Sequence, residues 1–144
     1  MITGDEAREI CPYMSEEDVA ELRGLAMGRT DVTIERFTER FMDWLAAADC
    51  SVSMAGYNTT MNILASGVPA LVWPFAVNRE QADRAARLER MGLLTVLADL
   101  DPDGLAGLMR AAMATGRRSG LDAIDLDGAA ATARFVEEHF GGRP

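Results

Sequence analysis

Two periodicities alternate along this chain. Residues 31–37, DVTIERF, place β-branched and apolar residues against polar ones at a spacing of two, which predicts a strand. Residues 15–28, SEEDVAELRGLAMG, follow the other rule: Val19, Leu22 and Ala26 fall on one face of a helix. Ser15-x-x-Asp18 supplies its capping pattern. Residues 38–49, TERFMDWLAAAD, give a second helix whose apolar face is Phe41, Trp44, Leu45 and Ala48. CSVSM at 50–54 is short and β-prone. NTTMNILASG at 58–67 predicts a helix capped by Asn58 and closed by Gly67.

The pattern then changes character. VPALVWPF, residues 68–75, is apolar without alternation, as expected of a strand buried on both faces of a parallel sheet. A helix follows from Asn78, with Asn78-x-x-Gln81 at its start and Gly92 at its end. LLTVLAD at 93–99 is the next strand, and Asp101 with Pro102 opens another helix. Residues 117–128 read as loop and 129–140 as a closing helix. With a first strand containing Ile2, strands separated by helices call for right-handed crossovers. The class is α/β: a doubly wound, Rossmann-like parallel sheet.

Length and charge narrow what such a sheet can do. At 144 residues the chain is one domain. Its formal charge of −9 sets up a field that repels nucleic acid and anionic membrane. An anionic ligand must therefore be held by local dipoles. Cys11 and Cys50 form no metal-ligand spacing, which fits a reduced, cytoplasmic setting. No cluster suggests a metal or other cofactor, and His139 is expected to serve as a surface or capping residue. The start MITGDEAR lacks the features of a signal peptide. The longest apolar stretch, residues 68–77, is too short for a membrane span and contains two prolines. A soluble protein is expected.

The candidate chemistry lies between residues 54 and 81. In a doubly wound sheet, ligands sit beyond the carboxyl ends of the strands. CSVSM ends at that edge, and AGYNTT leads from it into the next helix. A helix start leaves backbone N–H groups without partners and carries about half a positive charge. Gly56 lets a ligand approach the backbone, while Asn58, Thr59 and Thr60 add donors. The turn suits phosphate, although a polar strand-to-helix turn also serves a purely structural purpose.

This stretch resembles the donor-binding motif of two-domain, nucleotide-sugar-dependent glycosyltransferases of the GT-B type. The family of the lipid II-forming N-acetylglucosaminyltransferase and the plant small-molecule enzymes both carry versions of it. The matching elements are AAADCSVSMAGYNTTMNILASGVPALVWPF, residues 46–75, and NREQADRA, residues 78–85. The resemblance implies that residues 1–144 are the C-terminal, donor-binding part of such an enzyme. It implies sugar transfer from a nucleotide diphosphate, most simply a UDP-sugar, without a required metal. Diphosphate binding falls to Gly56, Tyr57, Asn58 and Thr59, ribose binding to Asn62, and sugar contacts to Glu80 and Gln81. Gln81 has a second reading as the partner of a capping box with Asn78. Phe37 lies where relatives bring a loop to the base, or else is a core or hinge aromatic.

Two positions depart from the family pattern. Met54 stands where many members have a His that donates to phosphate, and Asn62 where they have a Glu that clasps the ribose. An amide at 62 lacks the charge assistance of a carboxylate. The resemblance also implies that a first strand with its Gly-rich loop is missing, leaving a gap between the strands of Ile2 and Val52. An acceptor domain, which in inverting relatives supplies the catalytic base, would come from elsewhere. No residue here forms a recognisable base arrangement, so the catalytic residue is unknown. Without that partner, little or no transfer activity is expected. Two other readings remain: a subunit of a split glycosyltransferase, and a degenerate Rossmann-like domain that binds no nucleotide.

Overall fold

The computed structural model describes residues 1–3, 6–75, 77–117 and 127–141. Its elements run β1 (Ile2–Thr3), β2 (Glu6–Ile10), α1 (Glu16–Leu25), β3 (Val32–Glu35), α2 (Phe41–Ala47) and β4 (Ser51–Met54). They continue α3 (Tyr57–Ser66), β5 (Ala70–Trp73), α4 (Arg79–Arg90), β6 (Thr95–Val96), α5 (Pro102–Thr115) and α6 (Gly128–Phe140). Strands β2 and β3 pair in parallel, as do β4 with β5 and β5 with β6. The expected α/β class with helix-separated parallel strands is what the chain adopts.

The sheet is divided. The described strands form two three-stranded sheets, ordered β1-β2-β3 and β4-β5-β6. The strand predicted at Ile2 is only a two-residue antiparallel flank, with Ile2 opposite Ala7. The parallel strand is β2, whose sequence EAREI conceals it behind charge. Arg8 is tolerated there because its guanidinium lies 3.6 Å over the Trp44 ring and pairs with Glu35. Ser51 N–H donates to Pro69 O at 2.9 Å and Ala55 N–H to Trp73 O at 3.4 Å. Alternation then turns the backbone polar groups of Val52 and Met54 away from β5. No ladder joins β4 to β2 among the described residues.

Strand β5 explains the uninterrupted apolar run. Ala70 and Val72 face a core built with Leu45, Ile63, Leu64, Ala85, Leu88 and Leu94. Leu71 faces the opposite way, onto Cys50, Leu97 and Ala112. Both faces are covered, so alternation would have placed a polar side chain in one core or the other.

Helix ends follow the sequence signals closely. Ser15 Oγ accepts from Asp18 N–H, Asn78 Oδ1 from Gln81 N–H, and Asp101 Oδ2 from Gly104 N–H, at 3.1, 3.1 and 2.8 Å. Gly67 closes α3 in the left-handed region, at φ 67°. Arg117 carries a cap that spacing does not suggest. Its guanidinium donates to Ser66 O at 2.9 Å and Ala48 O at 3.0 Å, and also reaches Ala46 O. One cation thus satisfies carbonyls at the ends of α2 and α3. The remainder of the predicted 117–128 loop, up to residue 126, lies outside the described residues. His139 is on the surface of α6, stacked on Phe135 with ring centroids 4.1 Å apart.

Candidate functional site

The turn after β4 is built from three residues with different duties. Met54 ends the strand partly exposed, Ala55 is buried, and Gly56 is the N-cap of α3. Asn58, predicted as the cap, instead sits inside the first turn. An N-cap needs extended backbone, and Gly56 has it, with φ −62° and ψ 150°. The Gly56 carbonyl accepts from Thr60 N–H at 2.9 Å and from the Thr60 hydroxyl at 2.6 Å.

Because glycine has no side chain, no cap closes this helix start. The N–H groups of Tyr57, Asn58 and Thr59 are those an α-helix cannot satisfy internally. The contrast within the molecule is direct. Ser15, with φ −63° and ψ 159°, has nearly the same backbone as Gly56 and uses its hydroxyl to cap α1. Nor does space demand a glycine at 56. A Cβ there would meet only Thr59 Oγ1, at 3.9 Å. What the glycine provides is an uncovered helix terminus.

That terminus borders a cleft of about 630 Å³ that runs between β2 and β4, along Ser51–Met54 and Arg8, Glu9 and Ile10, to the carboxyl ends of both strands. Gly56 and Thr59 line one side, Phe37 and Thr38 another, and residues 11–14 a third. Phe37 is 71 % exposed, so it is a wall of the cleft and not a core aromatic. Ser53 also lines the cleft, with its Oγ buried and without a hydrogen-bond partner among the described residues. Burial, together with the negative charge of Glu9, pushes the Cys11 thiol up, so it stays protonated near neutrality. Ser53 and Cys11 are thus neutral members of a wall that also includes the charged Arg8 and Glu9. No group of side chains suited to a metal ion occurs among the described residues.

A second cavity, of about 610 Å³, lies against α1 and α5. Leu22, Leu25, Ile34, Leu105 and Met109 line it, and Val52, Ser53 and Met54 border both cavities. It contains neither Gly56 nor Thr59.

The other predicted site residues divide. Tyr57 and Asn58 are exposed on the outer side of the turn, and Asn62 is half-buried one helical turn further on. None of these three lines the cleft, and neither do Glu80 and Gln81. Glu80 and Gln81 occupy the first turn of α4. Gln81 fulfils the capping role through its N–H, while its Oε1 accepts from Phe75 N–H at 3.1 Å. Its NH2 has no hydrogen-bond partner among the described residues. Glu80 pairs with Arg84 at 2.7 Å.

Arg84 is the residue that sequence reasoning passed over. Its Nη2 donates to Ala55 O at 3.1 Å, its Nη1 to Glu80, and its guanidinium carbon lies 5.4 Å from the Tyr57 ring centre. It thereby connects α4 to the β4–α3 turn. The available signal was the Glu80-x-x-x-Arg84 spacing, which puts the two on one helix face.

The glycosyltransferase family 28 C-terminal domain matches residues 10–115. Two relatives share the name UDP-N-acetylglucosamine–N-acetylmuramyl-(pentapeptide) pyrophosphoryl-undecaprenol N-acetylglucosamine transferase. One, from Clavibacter michiganensis subsp. michiganensis, is 31 % identical over 148 residues; that from Clavibacter sepedonicus is 30 % identical over the same length. Each match takes in 88 % of this chain and 38 % of the relative, so the chain spans well under half of their length. Among solved structures, the glycosyltransferase VinC in complex with dTDP superposes with a TM-score of 0.62 at 23 % identity, over 95 % of this chain and 36 % of that one. A kitacinnamycin glycotransferase gives 0.52 at 19 %, over 91 % and 43 %. These two likenesses bear on the fold, a GT-B Rossmann-like C-terminal domain.

Proposed function

The chain belongs to the glycosyltransferase family 28 C-terminal domain family, and we propose that it binds the nucleotide-sugar donor of a glycosyl transfer. The donor in this reading is a UDP-sugar, in keeping with the names of the Clavibacter relatives. The observation that carries it is the uncapped start of α3 facing the 630 Å³ cleft. The amides of residues 57–59 take the diphosphate, and Phe37 lies beside the base. The NH2 of Gln81 reaches the sugar hydroxyls, with Glu80 beside it. Asn62 serves the ribose as a neutral hydrogen-bonding group.

The chemistry asked of such a site is stabilisation of a leaving diphosphate. Preorganised N–H donors do this without reorganising as charge develops, and each is worth about 2.7–4 kcal/mol of barrier in well-studied oxyanion sites. The helix dipole adds to them. The reaction in this reading requires no metal. The acceptor site and the catalytic base belong to an N-terminal domain or a partner subunit, so the 144-residue chain by itself transfers sugar little or not at all.

A second reading, that of a subunit in a split enzyme, draws support from the wall of the cleft. Tyr13 and Phe37, which both line it, are exposed large apolar side chains, at 99 and 71 %. Exposed aromatics gathered at one opening suit a surface that another domain covers.

Calorimetric titration of the chain with UDP and with UDP-N-acetylglucosamine, each with and without EDTA, tests the proposal. Binding of both with affinity indifferent to chelator is the expected result. Absence of heat with every nucleotide tried would leave the degenerate-domain reading in its place. Sugar transfer by the isolated chain at an ordinary enzymatic rate would refute its dependence on a partner.

A further inference from the structure

Resting on the donor-binding reading, we propose that Arg84 is a positioning residue that holds the phosphate-facing turn of α3 in register with the sugar-facing start of α4. Three contacts meet in one guanidinium. Nη2 donates to the carbonyl of Ala55, the residue immediately before the N-cap. Nη1 holds Glu80 Oε1 at 2.7 Å, and the plane lies near the Tyr57 ring. The first and third of these belong to the turn, the second to α4.

The arrangement is not the one a purely stabilising arginine would adopt. Arg84 Nε is buried and has no hydrogen-bond partner among the described residues. An exposed pair such as Arg79–Asp83, on the same helix, leaves nothing buried and contributes little. Arg84 instead has a side chain only 17 % exposed, while its partner Glu80 is 78 % exposed. The anchor is inside and the carboxylate is held at the surface. A planar fork grips a carbonyl and a carboxylate in fixed directions while its plane faces an aromatic ring; an ammonium, a compact charge with rotatable donors, fixes no such directions.

Two consequences follow for a diphosphate. The Ala55 carbonyl is fixed, so the peptide planes after it present their N–H groups in a set direction. The Glu80 carboxylate is also neutralised where it would otherwise repel an anion, which matters in a chain of net charge −9. Position and charge can be separated by experiment, because lysine preserves only the second.

The test compares the wild-type chain with Arg84→Lys and Arg84→Met. UDP affinity is measured by calorimetry, and backbone order at residues 56–59 by 15N relaxation, at a temperature well below each melting point. Both variants are expected to bind UDP at least tenfold more weakly. Order parameters should fall at residues 56–59 and stay unchanged in α5. Lysine restoring wild-type affinity would show that charge alone matters, and wild-type affinity in both variants would dismiss the role altogether. Should the wild-type chain bind no nucleotide, the donor-binding reading fails by itself. The relaxation data then still decide: unaltered order at 56–59 in both variants would overturn the positioning role. If Arg84→Met does not fold, Arg84→Lys provides both measurements.

Discussion

Replacing Gly56 with aspartate should strengthen the fold and weaken the binding, and those opposite signs make it the most discriminating change in the molecule. The backbone at 56 already has the dihedrals that Ser15 uses to cap α1. A Cβ would be in ordinary contact with Thr59 Oγ1 at 3.9 Å and with nothing else. The introduced carboxylate would then accept from the first-turn amides, as Ser15 does from Asp18. Asparagine, aspartate and serine exceed glycine as N-caps by a few tenths of a kcal/mol. A negative charge at a helix N-terminus adds about 0.3–1 kcal/mol. The sum is roughly 0.5–1.4 kcal/mol, or a melting temperature higher by about 1–6 °C for a domain of this size.

For the ligand the same carboxylate is a competitor. It occupies the N–H groups that the diphosphate needs and places a negative charge beside it. Losing even one charge-assisted hydrogen bond costs about 1.5–3 kcal/mol, so UDP affinity should fall by at least tenfold. Differential scanning calorimetry and UDP titration on the same preparations give both numbers. A Gly56→Asp variant that binds UDP as the wild type does would show that the phosphate is not at this turn. One that is less stable would show that glycine is required by the fold.

Other changes test separate parts of the structure. Gln81→Leu removes the acceptor for Phe75 N–H and the NH2 proposed to meet the sugar; it should weaken UDP-N-acetylglucosamine binding several-fold more than UDP binding, and equal losses would assign Gln81 to capping alone. Arg117→Met takes the charged donor from the ends of α2 and α3; urea unfolding should show a loss of about 1.5–3 kcal/mol, and a change below about 0.5 would deny it a capping role. Burial pushes the Cys50 thiol up. The stability it contributes is therefore complete below the unfolded thiol value of about 8.5 and is lost as pH rises toward the higher native value. Urea midpoints between pH 7 and pH 10 should fall more steeply for the wild type than for Cys50→Ala, and parallel curves would refute the linkage.

How much of this was legible depended on whether each feature is local. The caps at Ser15, Asn78 and Asp101, and the glycine closing α3, are decided within four residues, and each appears where its motif predicts. Strand β5 was legible because burial on both faces leaves an unbroken apolar run. Strand β2 was not, since Arg8 and Glu9 break the pattern; what makes Arg8 tolerable is Trp44, thirty-six places away. The cap at α3 was displaced for a related reason. Asn58 is the better capping residue, but the strand exit sets Gly56 in extended backbone, and helical turns begin directly after it. Arg84 and Arg117 act over 29 and 51 residues on backbone carbonyls, which have no sequence signature.

The misplacement of the cap sharpens the functional argument. Had Asn58 been the N-cap, its own side chain would have closed the helix start, and the same sequence would describe a self-satisfied turn. With Gly56 in that place, Asn58 is carried into the first turn and the terminal amides are left to solvent or ligand. Among the described helices, α1, α4, α5 and α6 close their starts with Ser, Asn or Asp side chains, and α2 is a seven-residue helix. Among the described residues, it is at α3 that the uncapped start of a longer helix coincides with a cleft large enough for a nucleotide. In the proposed reading, that open terminus is what accommodates a diphosphate in a chain whose net charge of −9 opposes anions. A single side chain at residue 56 would close it.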